Sequence, residues 1–185
     1  LPLITSLKHR LQLLESSGFD LAIVLPFNQS LAKLTYDTFI QNLHDKLPFT
    51  QLILGSDARF GKDRAGDPAA IEALGKKLNF EATYLPKETY HKEPISSGRI
   101  RSELTNGDLK KVKKMLGRPY SIRVPFTSPT RENEIQYQLH FQLDDLTVLP
   151  SAVYAVDIGK VPAIAIYRSK QEASEHTTIK LTLNF

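Results

Sequence analysis

Cysteine is absent from the 185 residues. A disulfide framework, a zinc ribbon and a thiol nucleophile are thereby excluded. No run of about 18 apolar residues occurs, which rules out a membrane-spanning helix. The opening LPLITSLKHR has no cationic stretch followed by an apolar one, so no signal peptide is expected. An initiator methionine is missing too, which fits a chain that starts inside something longer. The five histidines (His9, His44, His91, His140, His176) include no His-x-x-x-His or His-x-Gly-His pair. Metal held by histidine is therefore not expected. His9 and His44 read as helix-surface residues, and Asp144-Asp145 as a turn. The lack of cysteine suits a reducing cytoplasm.

Charge is present in modest excess. Lys and Arg number 24 against 20 Asp and Glu, a net charge of +4. Residues 1–116 hold 17 basic and 13 acidic side chains, whereas 117–185 hold 7 of each. The excess therefore lies entirely in the first part. It suits phosphate-bearing small molecules. It is too small for a nucleic-acid surface, which would show a basic stripe with interleaved aromatics.

The periodicity changes along the chain. Leu7, Leu11 and Leu14 recur at helical spacing in 7–17, with Thr5 or Ser6 as cap and Gly18 as stop. The run DLAIVL (20–25), ended by Pro26, reads as a buried strand. Segment 35–47 reads as a helix behind a Thr cap, with Phe39, Ile40 and Leu43 forming its stripe. TQLILG (50–55) reads as a second buried strand. Segment 68–79, opening on Pro68, reads as a helix, and FEATYL (80–85) as a third strand. The order αβαβαβ predicts an α/β fold with a parallel sheet, whose ligands sit at the carboxyl ends of the strands. Helices at 97–105 and 108–116 follow, joined by Asn106-Gly107. Gly117-Arg118-Pro119 breaks the pattern. From Tyr120 the period becomes two, with strands at 136–143, 152–159, 161–168 and 178–185. That predicts an antiparallel β region beyond a boundary at 117–120.

Two loops hold the residue types of a phosphate-ligand site. GSDARFGKDRAGD (55–67) combines three glycines, which allow close backbone approach, with cations that fork onto phosphate. Composition alone fits a solvated loop equally well. EPISSGRIR (93–101) sets two serines at a helix start with Arg99 and Arg101 in the first turn. A helix start offers unpaired N–H groups and a positive dipole end, and first-turn arginines are sensible there if an anion binds. Simple capping by Ser96 with two exposed arginines is the competing reading.

Four segments in order resemble the prokaryotic bifunctional riboflavin kinase/FAD synthetase family. They are LITSLKHRLQLLESSGFDLAIVLPF (3–27), LILGSDARFGKDRAGD (52–67), PISSGRIRSELTNGDLKKVKKMLGRPYSI (94–122) and LPSAVYAVDIG (149–159). The resemblance implies a Rossmann-like nucleotidyltransferase over 1–118, lacking its amino-terminal part. A small antiparallel β-barrel-like riboflavin kinase domain over 119–185, degenerate or truncated, would follow. The implied reaction is transfer of AMP from ATP to FMN, giving FAD and pyrophosphate, with Mg²⁺ assisting. Ser96, Ser97 and Arg101 would hold the phosphates, with Arg101 on the leaving pyrophosphate. Position 98, commonly Ser or Thr in the family, is Gly98 here. Asp57 and Phe60 would serve the flavin.

Two departures accompany the likeness. The family's first ATP motif, Gly-x-Phe-Asp-Gly-x-His-x-Gly-His, does not occur. Residue 1 already aligns past it, so the first strand–helix units are expected outside this chain, and the 185 residues alone are not expected to turn over. The kinase segment Gly-Phe-Pro-Thr-Ala-Asn is replaced by about QLHFQLDDL (138–146), and the family's catalytic Glu aligns near Ile179. Riboflavin phosphorylation is therefore doubtful. A non-catalytic flavin- or nucleotide-binding relative is the alternative. A nucleotidyltransferase for pantetheine phosphate is disfavoured by the Gly117-Arg118-Pro119-Tyr120 segment with a β region after it.

Overall fold

The computed structural model describes residues 2–123, 130–131, 136–141, 146–147, 149–159, 161–168 and 177–183. The chain divides into two compact units, Ile23–Thr89 and Leu1–Ala22 with Tyr90–Phe185. Each is described by itself.

The unit 23–89 is built around a β-α-β element. Strand β1 (Gln51–Gly55) runs parallel to β2 (Glu81–Leu85), with Gln51 opposite Glu81 and Gly55 opposite Leu85. Helix α4 (Pro68–Leu78) connects them. Its start is fixed by Asp67, whose carboxylate accepts from the Ala70 N–H at 2.9 Å, and by Pro68 in the first turn. Its end is fixed by Asn79 in the left-handed region. Helix α3 (Tyr36–Lys46) packs alongside. Ile40, Ile71, Leu74 and Phe80 form the core, with Phe39, Leu52, Leu54 and Phe60 packed against it. Each side chain fully buried here contributes roughly 1.5–3 kcal/mol. A short helix, α2 (Gln29–Ala32), precedes α3, capped by Asn28. It has no counterpart in the sequence reading.

The expected strand at 20–25 does not form. Residues 21–28 have no regular structure, and Leu21, Ile23, Val24, Leu25 and Phe27 are all about half exposed or more. Strand character in a short apolar run is realised only by pairing and by cover on its faces. Among the described residues β1 pairs with β2 alone, so the expected three-stranded parallel order is a pair. The outward face of that pair also carries exposed Ile53 and Leu85, so β1 is half-buried by alternation rather than buried throughout.

In the other unit, helix α1 (Leu7–Ser16) starts at Ser6, whose Oγ accepts from the His9 N–H at 3.3 Å. Gly18 follows it with φ +82°. A hairpin of β3 (Thr89–Tyr90) and β4 (Glu93–Pro94), also absent from the sequence reading, leads into helix α5 (Ser97–Thr105). Helix α6 (Leu109–Leu116) follows, capped by Asp108 and stopped by left-handed Gly117. An antiparallel sheet then forms in the order β5 (Thr130–Arg131), β6 (Gln136–Phe141), β9 (Thr177–Leu183), β8 (Val161–Arg168), β7 (Ala152–Ile158). Among the described residues its edges β5 and β7 do not meet. The antiparallel region expected after 120 is thus present as an open sheet, and the barrel-like closure is not.

This unit cuts the chain elsewhere than the boundary expected at 118. The reason is a shared core. Ile100, Leu104, Val112 and Met115 from α5 and α6 pack in one cluster with Leu146, Leu149 and Tyr167. Tyr120 and Ile122 join it, and burial pushes the Tyr120 hydroxyl up to about 12. The backbone is tied likewise: Thr147 N–H donates to the Leu3 carbonyl at 2.7 Å. Among the described residues no helix is long and apolar enough to cross a membrane.

Candidate active site

Helix α5 begins where the sequence placed a phosphate loop. Ser96 is extended, with φ −140° and ψ 157°, and its Oγ accepts from the Arg99 N–H at 3.2 Å. This is an N-cap, so one half of the competing reading holds. The arginines are not free, however. Arg101 Nε donates to the Pro2 carbonyl at 2.6 Å, and its Nη1 donates to Ser97 Oγ at 3.3 Å. Ser97 and Arg101 are thus brought together beside the Ser96 cap. No carboxylate among the described residues lies within ion-pair distance of Arg101. Its charge adds to the positive end of the α5 dipole, equivalent to about half a unit charge. The arrangement can neutralise phosphate oxygens without moving a proton. At Gly98 an added Cβ would meet only Ser96 Oγ, at 3.8 Å. Space does not require glycine there.

Arg99 faces a different way. Its Nη1 donates to the Tyr90 and Glu93 carbonyls, each at 3.0 Å. Its guanidinium lies 5.5 Å from the Tyr90 ring centroid, and Nη2 is 3.5 Å from the Glu93 carboxylate. The sequence left Arg99 either near a bound anion or simply exposed, and did not show these contacts.

The loop 55–67 belongs to the unit 23–89. Ser56 N–H donates to the Leu85 carbonyl at 2.9 Å, which places the loop at the carboxyl ends of both parallel strands. The loop closes on itself through Phe60 and Gly66, which exchange backbone hydrogen bonds of 3.2 and 3.0 Å. It then lies flat against the start of α3. A Cβ at Gly61 would fall 2.2 Å from the Tyr36 nitrogen, and one at Gly66 2.5 Å from Tyr36 Cβ. These glycines are present for close packing.

Asp57 Oδ2 sits 2.7 Å from Lys87 Nζ. The hydrogen bond from Lys87 holds the Asp57 carboxyl below the ordinary aspartate range, with the Lys87 charge adding to the effect and Arg64 adding less. Lys87, two residues past the end of β2, was not foreseen as the partner of Asp57, and position at a strand end was the available signal. Phe60 is half-buried and stacks on Phe39, with centroids 6.3 Å apart and planes at 18°. Part of its surface therefore serves the core.

Among the described residues no three His, Asp or Glu side chains come together as a metal site requires. Asp57, the one carboxylate among the expected site residues, is committed to Lys87. His9 differs from expectation. It is buried at 5% exposure, with Nε2 3.4 Å from Ser121 Oγ. Desolvation, then the Arg118 and Arg123 charges, push its imidazole below the usual value. His44 is half-buried with its ring edge-on to Phe49 at 4.9 Å. In the expected kinase stretch, residues 142–145 lie outside the described residues, and so does the Asp144-Asp145 turn.

The FAD synthetase family model matches residues 1–99. A bifunctional riboflavin kinase/FMN adenylyltransferase of Buchnera aphidicola subsp. Schizaphis graminum is 32% identical over 165 residues, covering 84% of this chain and 51% of that protein. The protein of the same description from Haemophilus influenzae is 33% identical over 117 residues, covering 63% of this chain and 38% of that one. The chain thus spans about half the length, or less, of the curated relatives it matches. A crystal structure described as a macrolide-efflux protein from Streptococcus pneumoniae superposes with a TM-score of 0.82 at 21% identity, over 97% of this chain and 60% of that one. That likeness speaks to the fold alone. The family match takes in α1, the loop 55–67 and the serines that open α5, and on it the chain belongs to the FAD synthetase family.

Proposed function

We propose that the chain is the FMN-adenylylating part of a cytoplasmic FAD-forming enzyme. In this reading an oxygen of the FMN phosphate attacks the α-phosphorus of ATP. The bond from that phosphorus to the bridging oxygen breaks, and pyrophosphate leaves with the electron pair. The protein's task is positioning and charge neutralisation. Ser96 and Ser97, with the N–H groups opening α5, hold phosphate oxygens. Arg101 takes up charge on the leaving pyrophosphate. Asp57 and Phe60 hold the flavin. Mg²⁺ enters with ATP as part of that substrate, since magnesium bound to nucleotides keeps mostly phosphate and water ligands. Residues 1–118 form the Rossmann-like transferase portion. Residues 119–185 are a degenerate relative of the kinase domain.

One observation carries the reading: a guanidinium with no carboxylate partner among the described residues is hydrogen-bonded to a serine hydroxyl at a helix start. The test is a two-substrate assay on the full-length gene product. One sample holds FMN, ATP and Mg²⁺, the other riboflavin, ATP and Mg²⁺. FAD from the first with no FMN from the second supports the proposal. FMN from the second shows that the kinase is intact, and flavin bound without either product supports the non-catalytic alternative. Arg101→Ala removes a charged hydrogen bond of about 1.5–3 kcal/mol, a loss of roughly 10- to 100-fold in kcat/KM for ATP. Unchanged kinetics refute the assignment.

A further inference from the structure

The hairpin before α5 turns through His91 and Lys92, with φ of +54° and +65°. Two consecutive left-handed residues make a turn that Asn-Gly adopts readily and that ordinary side chains resist. Both side chains are exposed, and the His91 ring stands edge-on to the Tyr90 ring with centroids 4.2 Å apart. Arg99 ties the two ends of the turn together. One guanidinium nitrogen bonds both carbonyls flanking the turn, Tyr90 and Glu93, while the cation lies over the Tyr90 ring and pairs with the Glu93 carboxylate. All four contacts fall within the six residues before Ser96. The Arg99 side chain is only 20% exposed, so this geometry is packed rather than incidental.

We infer that Arg99 is a positioning residue: it locks the strained His91–Lys92 turn and so fixes how the chain enters the Ser96–Ser97 phosphate site. The inference rests on the ATP reading for its consequence, though the lock itself does not. The cationic composition of the first turn suggests a different role, a phosphate ligand beside Arg101. The two roles predict different rescue behaviour. A phosphate ligand is not replaced by changing the turn. A lock becomes dispensable once the turn is relaxed.

The test uses the full-length protein with two readouts, amide exchange at residues 90–97 and ATP affinity by calorimetry. Arg99→Ala is expected to speed exchange at least 10-fold across the hairpin and to weaken ATP about 10-fold. Arg99→Lys keeps the charge but not the forked donors, and is expected to behave like Arg99→Ala. Adding His91→Asn with Lys92→Gly to Arg99→Ala is expected to restore both readouts to within about threefold of the parent. Unchanged exchange in Arg99→Ala overturns the inference. So does an ATP loss that persists after the turn is relaxed and exchange is normal. If the parent protein binds no ATP, the functional reading fails, while exchange still decides whether Arg99 locks the turn.

Discussion

Ser96 is asked to do two things, and they are separable by substitution. Its Oγ caps α5 through the Arg99 N–H at 3.2 Å, and in the proposed reaction it also faces phosphate. Ser96→Ala removes the cap. The cost is about 1 kcal/mol, which for a chain of this size is a fall in Tm of roughly 2–4 °C. Ser96→Asp keeps the cap, because aspartate serves as well as serine there, and adds about 0.3–1 kcal/mol by complementing the dipole. It should be as stable as the parent or slightly more so. Its carboxylate also brings a negative charge to the place proposed for phosphate. Two like charges roughly 5 Å apart at an effective dielectric of about 20 repel by about 3 kcal/mol before salt screening. An order-of-magnitude expectation is a 10- to 100-fold loss of ATP affinity. Calorimetric unfolding and ATP titration on the same samples read the two effects apart. Parent-like ATP affinity in Ser96→Asp refutes the phosphate role. A Tm drop in Ser96→Asp equal to that of Ser96→Ala refutes the capping account.

Other perturbations give contrasts of similar clarity. Gly75→Ala in a helix interior ordinarily gains about 1 kcal/mol. Here the new methyl would lie 2.5 Å from the Phe80 carbonyl oxygen, so overpacking should turn the gain into a net loss of about 1–2 kcal/mol by urea unfolding. Asp57→Ala strips Lys87 of its 2.7 Å partner and should weaken FMN more than ATP, and equal weakening of both would make Asp57 merely structural. His9 has a folded pKa below its unfolded value, so the unfolded chain binds more protons between the two. Its contribution is full above about pH 6.5 and is lost as pH falls toward the folded value. Denaturant unfolding in steps from pH 7.5 to 5 should show this slope, and His9→Leu should flatten it.

The helices that announce their ends were readable in the sequence. Ser6 before α1, Asp67-Pro68 before α4, and Asp108 with Gly117 around α6 specify boundaries through a few local hydrogen bonds. What went unread depends on distant chain. The run at 20–25 has strand composition but no ladder partner among the described residues. His9 looks like a surface position on the period of Leu7, Leu11 and Leu14, yet Leu7 is 46% exposed and His9 is buried. Residues 118–123, more than a hundred positions away, bring Ser121 and two arginine charges to that face. The site itself divides the same way. Ser96 as a cap was legible, whereas Ser97 and Arg101 were joined only through the family resemblance, although residues four apart share a helix face. Arg99 and Arg101 are two apart, and at about 100° per residue they point roughly 200° from each other. One helix start cannot aim both at the same phosphate. The helical period alone therefore assigns the two arginines to different partners. The hairpin supplies the one that composition did not reveal.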